Sequence, residues 1–188
     1  MASVPPNCQF EVDDVEDDWV YSDKFDYIHG RALFSAFGDP CAVFKKAYDA
    51  LAPGGWFEMQ DIYFRPHSID GTHEGSAMQA WNNTLIEGAK KIGRDWWCTP
   101  NYQRWFREAG FENVKERKYQ WPTNTWPRGK KNKTLGLWAL MNILDGVSAV
   151  SMAIMTRVLG MSPEAVELVL VEVRNDLRNK SIHAYFPV

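Results

Sequence analysis

The chain has 188 residues, of which 45% are hydrophobic and 24% are charged. This length allows one domain with a sizeable core and leaves no room for two full ones. The 21 basic residues against 24 acidic ones give a net charge of −3 without a long basic block, which gives no indication of nucleic-acid binding. Aromatic residues make up 14% of the chain, so we expect some rings to form the wall of a site for a bulky apolar ligand.

The cysteines, the first residues and the apolar stretches indicate the cellular compartment that we expect for the protein. Cys8, Cys41 and Cys98 are far apart and form neither a CxxC motif nor a Cys/His cluster, so we expect a reducing, cytoplasmic location and no structural metal. The first residues lack a basic start and an apolar run, and the most apolar stretch, 135–161, is interrupted by polar residues. We therefore expect neither a secretion signal nor a membrane span.

The front of the chain predicts a strand, helix, strand unit. Alternation in "CQFEV", residues 8–12, predicts a short strand, and a second strand is predicted over Phe25 to His29. A helix should begin at Pro40 and end at a Pro-Gly-Gly turn, before "WFEMQD", residues 56–61, extends as a third strand. Because this order is a crossover, the second and third strands should be parallel neighbours.

The rest of the chain alternates helical and extended patterns. It predicts a loop at 64–75, helices at 78–89 and 99–110, a strand at 111–120, a long apolar helix at 134–159, a helix beginning at Ser162 and a last strand at 182–188. These patterns favour an α/β fold with a mixed sheet.

A series of short motifs runs in order along the whole chain. They are "FEVDDVEDDWVY" at 10–21, "FDYIHGRAL" at 25–33, "YDALAPGGWFEMQD" at 48–61, "DGT" at 70–72, "REAGFENVKE" at 107–116, "TWPRGKKNKTLG" at 125–136, "TRVLG" at 156–160, "EVRND" at 172–176 and "IHAY" at 182–185. Together they resemble the class I S-adenosylmethionine-dependent methyltransferases typified by fungal regulators of secondary metabolism, the LaeA-like group.

The resemblance implies an incomplete fold. It matches the C-terminal two-thirds of such an enzyme, an α/β Rossmann-like mixed sheet with flanking helices that lacks its first two strands. Residues 1–188 would form a single truncated domain, with 64–106 and 120–160 contributing the helical cap over the substrate. The missing strands would leave the edge of the strand at Phe25 to His29 exposed, so we expect either pairing with Phe10 to Val12 or a homodimer.

The resemblance also bears on the cofactor. Its glycine-rich ExGxGxG turn, which lets the backbone approach the cofactor, and the acid that holds the ribose are both absent from the sequence. Only Asp13 and Asp14 match the place where the family contacts the adenine edge, as vestigial residues. We therefore expect no S-adenosylmethionine binding, no other cofactor and no metal.

Polar side chains follow two neighbouring strands. His29 and Arg31 leave one strand, and Glu58 and Gln60 leave the next, so the four should line one crevice as candidate catalytic residues. Histidine is the usual acid–base group near neutral pH. The alternative is that His29 is a buried core histidine and that Arg31 pairs with an acid such as Asp26.

Five further residues are candidates for substrate binding. Tyr27 and Asp61 flank the catalytic set, His73 lies in the loop over the crevice, and Trp81 and Trp126 fall in the cap segments. The alternatives are a solvated strand-end acid for Asp61, an inert exposed loop for His73, and a place in the core for each tryptophan.

The sequence therefore suggests a methyltransferase-like protein that has kept its substrate pocket. Members of this class in fungal pathways include catalysts of cyclisation, pericyclic and isomerisation reactions, so we expect a small apolar, polyketide-like substrate and no nucleic-acid or membrane partner. The alternatives are a non-catalytic partner or regulatory subunit of a full-length methyltransferase, and a shortened S-adenosylmethionine-dependent methyltransferase.

Overall fold

The computed structural model describes residues 5–188. It contains the strands β1 (Phe25–Arg31), β2 (Leu51–Gln60), β3 (His67–Ser68), β4 (Gln120–Pro122) and β5 (Ala184–Pro187), and the helices α1 (Pro40–Ala50), α2 (Ala77–Lys91), α3 (Tyr102–Ala109), α4 (Lys130–Met152) and α5 (Pro163–Arg178). A 3₁₀ turn, Thr99–Asn101, precedes α3, and a π-helical turn, Ala153–Val158, continues α4.

The predicted crossover is confirmed. β1 and β2 are hydrogen-bonded in parallel, and α1 connects them. Local chemistry fixes the start of α1, since the Asp39 side chain accepts a hydrogen bond from the backbone N–H of Ala42 and Pro40 occupies the first turn. One face of β2 then packs on this helix, where Phe44 meets Phe57 edge to face at 5.4 Å between ring centroids.

A second small sheet lies beyond the end of β2. β5 pairs antiparallel with β3 on one side and with β4 on the other. Just after β2, the Tyr63 N–H donates to the Pro187 carbonyl at 2.8 Å, so the backbone of β2 leads directly into this sheet. The result is the mixed α/β architecture that the sequence predicts, with a parallel pair followed by antiparallel strands.

Two hydrophobic cores hold the elements together. The larger one joins α2, α4 and α5, and the smaller one lies under β2 between α1 and α3. Phe34 packs against both cores and links them. Ser162 caps α5, as predicted, by accepting from Ala165 N–H, and α3 ends at Gly110 with φ +112°.

Two predicted strands are absent from the structure. Residues 8–12 are irregular, and of the predicted strand at 111–120 only the last residue belongs to a strand, β4. A strand needs a partner for its backbone groups, and within residues 5–188 neither segment has one along its length. Of the two alternatives for the edge of β1, pairing with Phe10 to Val12 is wrong, because β2 is the only described partner of β1. The homodimer stays a prediction.

The long apolar helix begins at Lys130, earlier than predicted, and becomes π-helical near its end. By length and composition alone, Lys130–Val158 could cross a membrane, and only 17% of its most apolar window is buried. The sequence pattern had predicted no such span. Val147, Ile154 and Met155 are nevertheless buried against α2 and α5, so one stripe of this helix belongs to the larger core.

Candidate functional site

The candidate catalytic residues lie on one face of the parallel strand pair. Side chains alternate along a strand, so Tyr27, His29 and Arg31 of β1 point to the side opposite α1. The matching residues of β2 are Trp56, Glu58 and Gln60. All six are exposed, and we refer to them as the open sheet face.

The register brings the predicted catalytic residues together in two pairs. His29 lies opposite Glu58, and Arg31 lies opposite Gln60. The Tyr27 hydroxyl donates to Glu58 Oε2, and Gln60 Nε2 donates to Glu58 Oε1 at 2.9 Å. The alternative of a buried core histidine is wrong, because His29 is exposed. Its ring lies nearly parallel to the ring of Tyr27, with 6.2 Å between the centroids.

The hydrogen bonds around Glu58 set its charge. Donation from Tyr27, and then from Gln60, lowers the pKa of the Glu58 carboxyl. The same hydrogen bond to Glu58 raises the pKa of the Tyr27 hydroxyl. Glu58 is therefore an anion at neutral pH and Tyr27 keeps its proton, so the pair offers one fixed negative charge beside His29.

Asp61 turns away from the open sheet face. Its side chain is buried and accepts from the N–H groups of Leu33 (2.7 Å) and Phe34 (3.1 Å) and from the Tyr102 hydroxyl (2.8 Å). Burial raises the pKa of this carboxyl, while the three hydrogen bonds oppose the rise. Asp61 thus fastens the turn after β1 to α3, and it is not a solvated strand-end acid.

The remaining substrate-binding candidates lie elsewhere. Trp81 is in the larger core, where its indole N–H donates to Ser151 Oγ at 2.8 Å, as the alternative proposed. His73 Nδ1 contacts Ser68 Oγ at 2.9 Å, and the Trp126 indole N–H donates to the Ala184 carbonyl at 2.8 Å. In the part of the chain that the structure describes, no hydrogen bond or ring contact joins these three residues to the open sheet face.

The next residues to consider are the two that the resemblance assigns to the adenine edge of the cofactor. Asp13 and Asp14 are exposed, and their recorded hydrogen bonds stay within their own segment, to Asp14 N–H (2.9 Å) and Glu16 N–H (2.9 Å). In the described part of the chain no hydrogen bond joins these two side chains to β1, and the lack of S-adenosylmethionine binding stays a prediction. Among residues 5–188, no group of three His, Cys, Asp or Glu side chains could hold a metal ion.

A groove of about 1380 Å³ runs along the free edge of β2, and we call it the β2-edge groove. One wall of it consists of the residues of β2, among them Glu58 and Gln60, with Tyr27 of β1 and Asp61 directly after β2. The far wall and the floor come from α3, from 110–117, and from Tyr119, Trp121 and Val188. The groove therefore adjoins part of the open sheet face.

Two residues of this region escaped the sequence analysis. Trp56 is 67% exposed and shares the open sheet face with Glu58 and Gln60, which the period-2 alternation of β2 would have shown. Tyr102, the partner of Asp61, lies 41 positions away along the chain. No local sequence pattern could have indicated that contact.

Comparison with known proteins agrees with this fold. A family model described as "Methyltransferase domain" matches residues 2–116. The probable methyltransferase tdiE of Emericella nidulans is 38% identical over 179 residues, which cover 95% of this chain and 56% of that protein. The methyltransferase pytC of Aspergillus terreus is 35% identical over 183 residues, covering 97% of this chain and 56% of that protein.

A third relative carries a regulatory name. The secondary metabolism regulator laeA of Monascus pilosus is 29% identical over 184 residues, which cover 96% of this chain and 50% of that protein. The chain thus spans about half the length of the curated relatives it matches. The predicted resemblance to LaeA-like methyltransferases is confirmed, and the chain belongs to the methyltransferase-domain family, with relatives in fungal secondary metabolism.

Proposed function

We propose that this protein acts on a small apolar, polyketide-like molecule in fungal secondary metabolism without S-adenosylmethionine, by cyclisation, pericyclic or isomerisation chemistry. The observation that carries the proposal is the pairing of His29 with Glu58 and of Arg31 with Gln60 across β1 and β2. This register places an acid–base group (His29), a fixed anion (Glu58) and a fixed cation (Arg31) close together on one face of the strand pair. The protein would act in the cytoplasm, as a homodimer.

An isomerisation shows how these groups would divide the work. His29 takes a proton from the carbon next to a substrate carbonyl and returns it at another carbon, so the substrate is neither oxidised nor reduced. Arg31 donates hydrogen bonds to the carbonyl oxygen as negative charge develops there. Glu58, kept anionic by Tyr27, stabilises the protonated imidazole, and Gln60 holds Glu58 in place.

The open sheet face needs a cover before such chemistry is efficient. Tyr27 is 53% exposed and Trp56 is 67% exposed, so bulk water reaches the candidate site. Water screens the interactions that stabilise developing charge. The proposed reaction therefore requires the substrate itself, or another polypeptide, to exclude water from this face.

Deuterium exchange tests the acid–base role without knowledge of the natural substrate. An aryl alkyl ketone in D₂O should lose its α-protons, followed by NMR, at least about tenfold faster with the protein than with buffer. His29→Ala should abolish the gain, whereas His67→Ala, a histidine outside the open sheet face, should keep it. Equal exchange rates for the two variants would rule out His29 as the catalytic base.

The main rival is a shortened S-adenosylmethionine-dependent methyltransferase. The names of the relatives tdiE and pytC favour it. Calorimetry with S-adenosylmethionine and S-adenosylhomocysteine separates the two ideas, since our proposal expects no heat of binding for either compound. Micromolar binding, together with transfer of a labelled methyl group, would replace the proposal by this rival.

A second rival is a non-catalytic subunit of a full-length methyltransferase. The exposure of Tyr27 and Trp56 on the open sheet face favours it, because large exposed aromatic rings often mark interaction surfaces. A stable complex with a full-length family member by size exclusion, lost in Trp56→Arg and kept in Trp138→Arg on α4, would support this reading. An active wild-type chain in the exchange assay would argue against it.

A further inference from the structure

The start of α4 carries a cluster of positive charge that the fold itself does not require. Arg128, Lys130, Lys131 and Lys133 are all exposed, and we call them the cationic cluster. The three lysines lie in the first turn of α4, which contains no acidic residue and follows Gly129 without a side-chain cap. Because the N-terminal end of a helix is the positive end of its dipole, lysines at this end oppose helix formation. The cluster therefore destabilises the helix that carries it.

Neighbouring acids do not balance this charge. The chain has more acidic than basic residues, yet no acidic residue lies between Glu116 and Asp145 in the sequence. Among residues 5–188, no ion pair joins any of the four cations to an acid. A local feature that opposes the fold without a compensating contact is typical of a functional surface. The charge of the cluster is thus available to an anionic partner.

Exposed apolar side chains continue the same side of the helix. Leu137 (47%), Trp138 (66%) and Met141 (50%) are large apolar residues that face solvent, and we call them the apolar row. Lys130 and Lys133 precede Leu137 by two turns and by one turn, so they lie on the same side of α4. The exposed side of α4 is therefore cationic at its start and apolar in the next turns.

The opposite side of α4 is fixed to the rest of the protein. Gly136 packs against the Asn124 carbonyl, and Val147 belongs to the larger core. Both residues lie on the side of the helix that faces away from Trp138. A partner can therefore meet this part of α4 only along its exposed side, and the helix keeps its place in the core.

A surface pocket of about 490 Å³ lies between the cationic cluster and the apolar row. Its lining residues are Thr125, Gly129, Lys130, Lys133, Thr134 and Leu137. The two lysine ammonium groups and the two threonine hydroxyls can donate hydrogen bonds to phosphate or carboxylate oxygens. Leu137 supplies an apolar border on the side of the apolar row. The pocket thus suits an anionic headgroup that is attached to an apolar tail.

We propose that this side of α4 binds the surface of an anionic membrane, with the cationic cluster at the phosphate headgroups and the apolar row at the boundary with the acyl chains. Clusters of lysine or arginine on an amphipathic helix are typical of proteins that bind anionic lipids. Tryptophan prefers this boundary because its ring is apolar and its N–H is polar. The helix lies on the membrane and does not cross it. This proposal replaces the sequence-based expectation of no membrane partner, and it does not depend on the chemistry proposed above.

A nucleic acid fits this surface less well. Its phosphates would use the cations, but its bases are bound by hydrogen-bonding side chains or by stacking on aromatic rings. Leu137 and Met141 offer neither kind of contact, and the chain as a whole has a net charge of −3. The apolar row therefore favours a bilayer over other polyanions.

Vesicle sedimentation gives the first test. The full chain should bind phosphatidylcholine vesicles that contain about 30% phosphatidylserine at least about tenfold more strongly than vesicles of phosphatidylcholine alone. Raising the salt concentration from about 0.1 M to about 0.5 M should weaken this binding, because salt screens exposed charges. No binding to the anionic vesicles, or equal binding to both kinds, would refute the proposal.

Two double variants test the cationic cluster. Lys130→Gln/Lys133→Gln should bind the anionic vesicles at least about tenfold more weakly than wild type. Lys45→Gln/Lys91→Gln, which removes two exposed lysines from other helices, should keep the binding. The first variant should unfold at the same temperature as wild type or a higher one, because it removes cations from the positive end of a helix. Equal vesicle binding by the two variants would rule out the cluster as the binding surface.

Two tryptophans test the apolar row. Trp138 and Trp56 are exposed to nearly the same extent, 66% and 67%, on different elements. Trp138→Ala should weaken binding to the anionic vesicles at least about threefold, whereas Trp56→Ala should not. Binding that needs the lysines but not Trp138, and that a duplex oligonucleotide displaces, would replace the membrane by a nucleic acid. A wild-type dimer that Trp138→Arg converts to a monomer in light scattering would overturn the proposal in favour of a second copy on this side of α4.

Discussion

At the scale of single residues, Asp61 is the clearest case of a polar group that the fold requires. Asp61→Ala would leave the N–H groups of Leu33 and Phe34 and the Tyr102 hydroxyl without their acceptor. Each unsatisfied donor costs about 1–3 kcal/mol and such costs overlap, so we expect a loss of about 3 kcal/mol in urea unfolding. Glu58→Ala, on the exposed face, should cost less than about 1 kcal/mol. Equal losses would show that Asp61 does not brace the turn.

Glu16 gives a prediction for acid pH. Arg94 first, and then the N–H of Asp39, lowers the pKa of Glu16 from 4.5 to about 2. A carboxyl whose pKa is lower in the folded state stabilises the fold above its unfolded pKa, and this contribution disappears as the pH falls from about 4.5 to about 2. The side chain is 29% exposed, so we discount the gain for solvent screening to about 1 kcal/mol.

The measurement is a difference between two unfolding curves. The stability advantage of wild type over Glu16→Gln should be present at pH 6 and should shrink toward zero by about pH 2. Glu172→Gln, at an exposed acid of α5, is the matched control for the removal of one carboxylate. An advantage of Glu16 that does not change with pH would rule out the ion pair as its source.

At the scale of elements, two glycines of α4 should respond in opposite directions. A Cβ at Gly136 would lie 2.0 Å from the Asn124 carbonyl oxygen, whereas nothing lies within 4 Å of a Cβ at Gly146. Gly136→Ala should therefore force α4 away from the residues after β4 and cost about 1–3 kcal/mol. Gly146→Ala should gain up to about 1 kcal/mol from helix propensity. Thermal unfolding distinguishes the signs, and a gain at both positions would contradict the close approach.

The elements also show how far local sequence patterns reach. Helices α1, α2, α3 and α5 were predicted within a few residues because a periodic apolar face and a cap both lie inside one short segment. The strands at 8–12 and 111–120 were not found as predicted, although both alternate. Alternation describes a face, whereas a strand also needs a neighbouring backbone, and no single segment encodes its neighbour.

The candidate site likewise contains some residues whose position local sequence patterns predicted and others whose position they did not. The exposed row of Tyr27, His29, Glu58 and Gln60 followed from two adjacent strands and period-2 alternation. The inward orientation of Asp61 did not follow from these patterns, because it depends on contacts with Tyr102 and with the backbone after β1. The place of Trp81 was also open, since the core and a ligand wall favour the same residue type.

At the scale of the whole molecule, the larger core and the exposed strand β1 should differ in their local stability. α5 packs Val166, Leu170 and Val173 completely inside the larger core. Among residues 5–188, by contrast, β1 has one partner strand, and one of its faces is open to solvent. Hydrogen exchange is slow where opening must disrupt a core and fast where one face and one edge meet water. We therefore expect amides of α5 to exchange at least about a hundredfold more slowly than those of β1.

Mass spectrometry of exchanged peptides can also detect what covers the exposed part. If a second copy or another polypeptide covers β1, β2 and 112–118, protection of these segments should rise with protein concentration or on adding that partner, while α5 stays unchanged. The peptide over α2, which lies in the larger core, provides the internal reference. Equal protection of β1 and α5 in the isolated monomer would mean that the open sheet face is already stable by itself, and the expectation of a covering partner would lose its energetic basis.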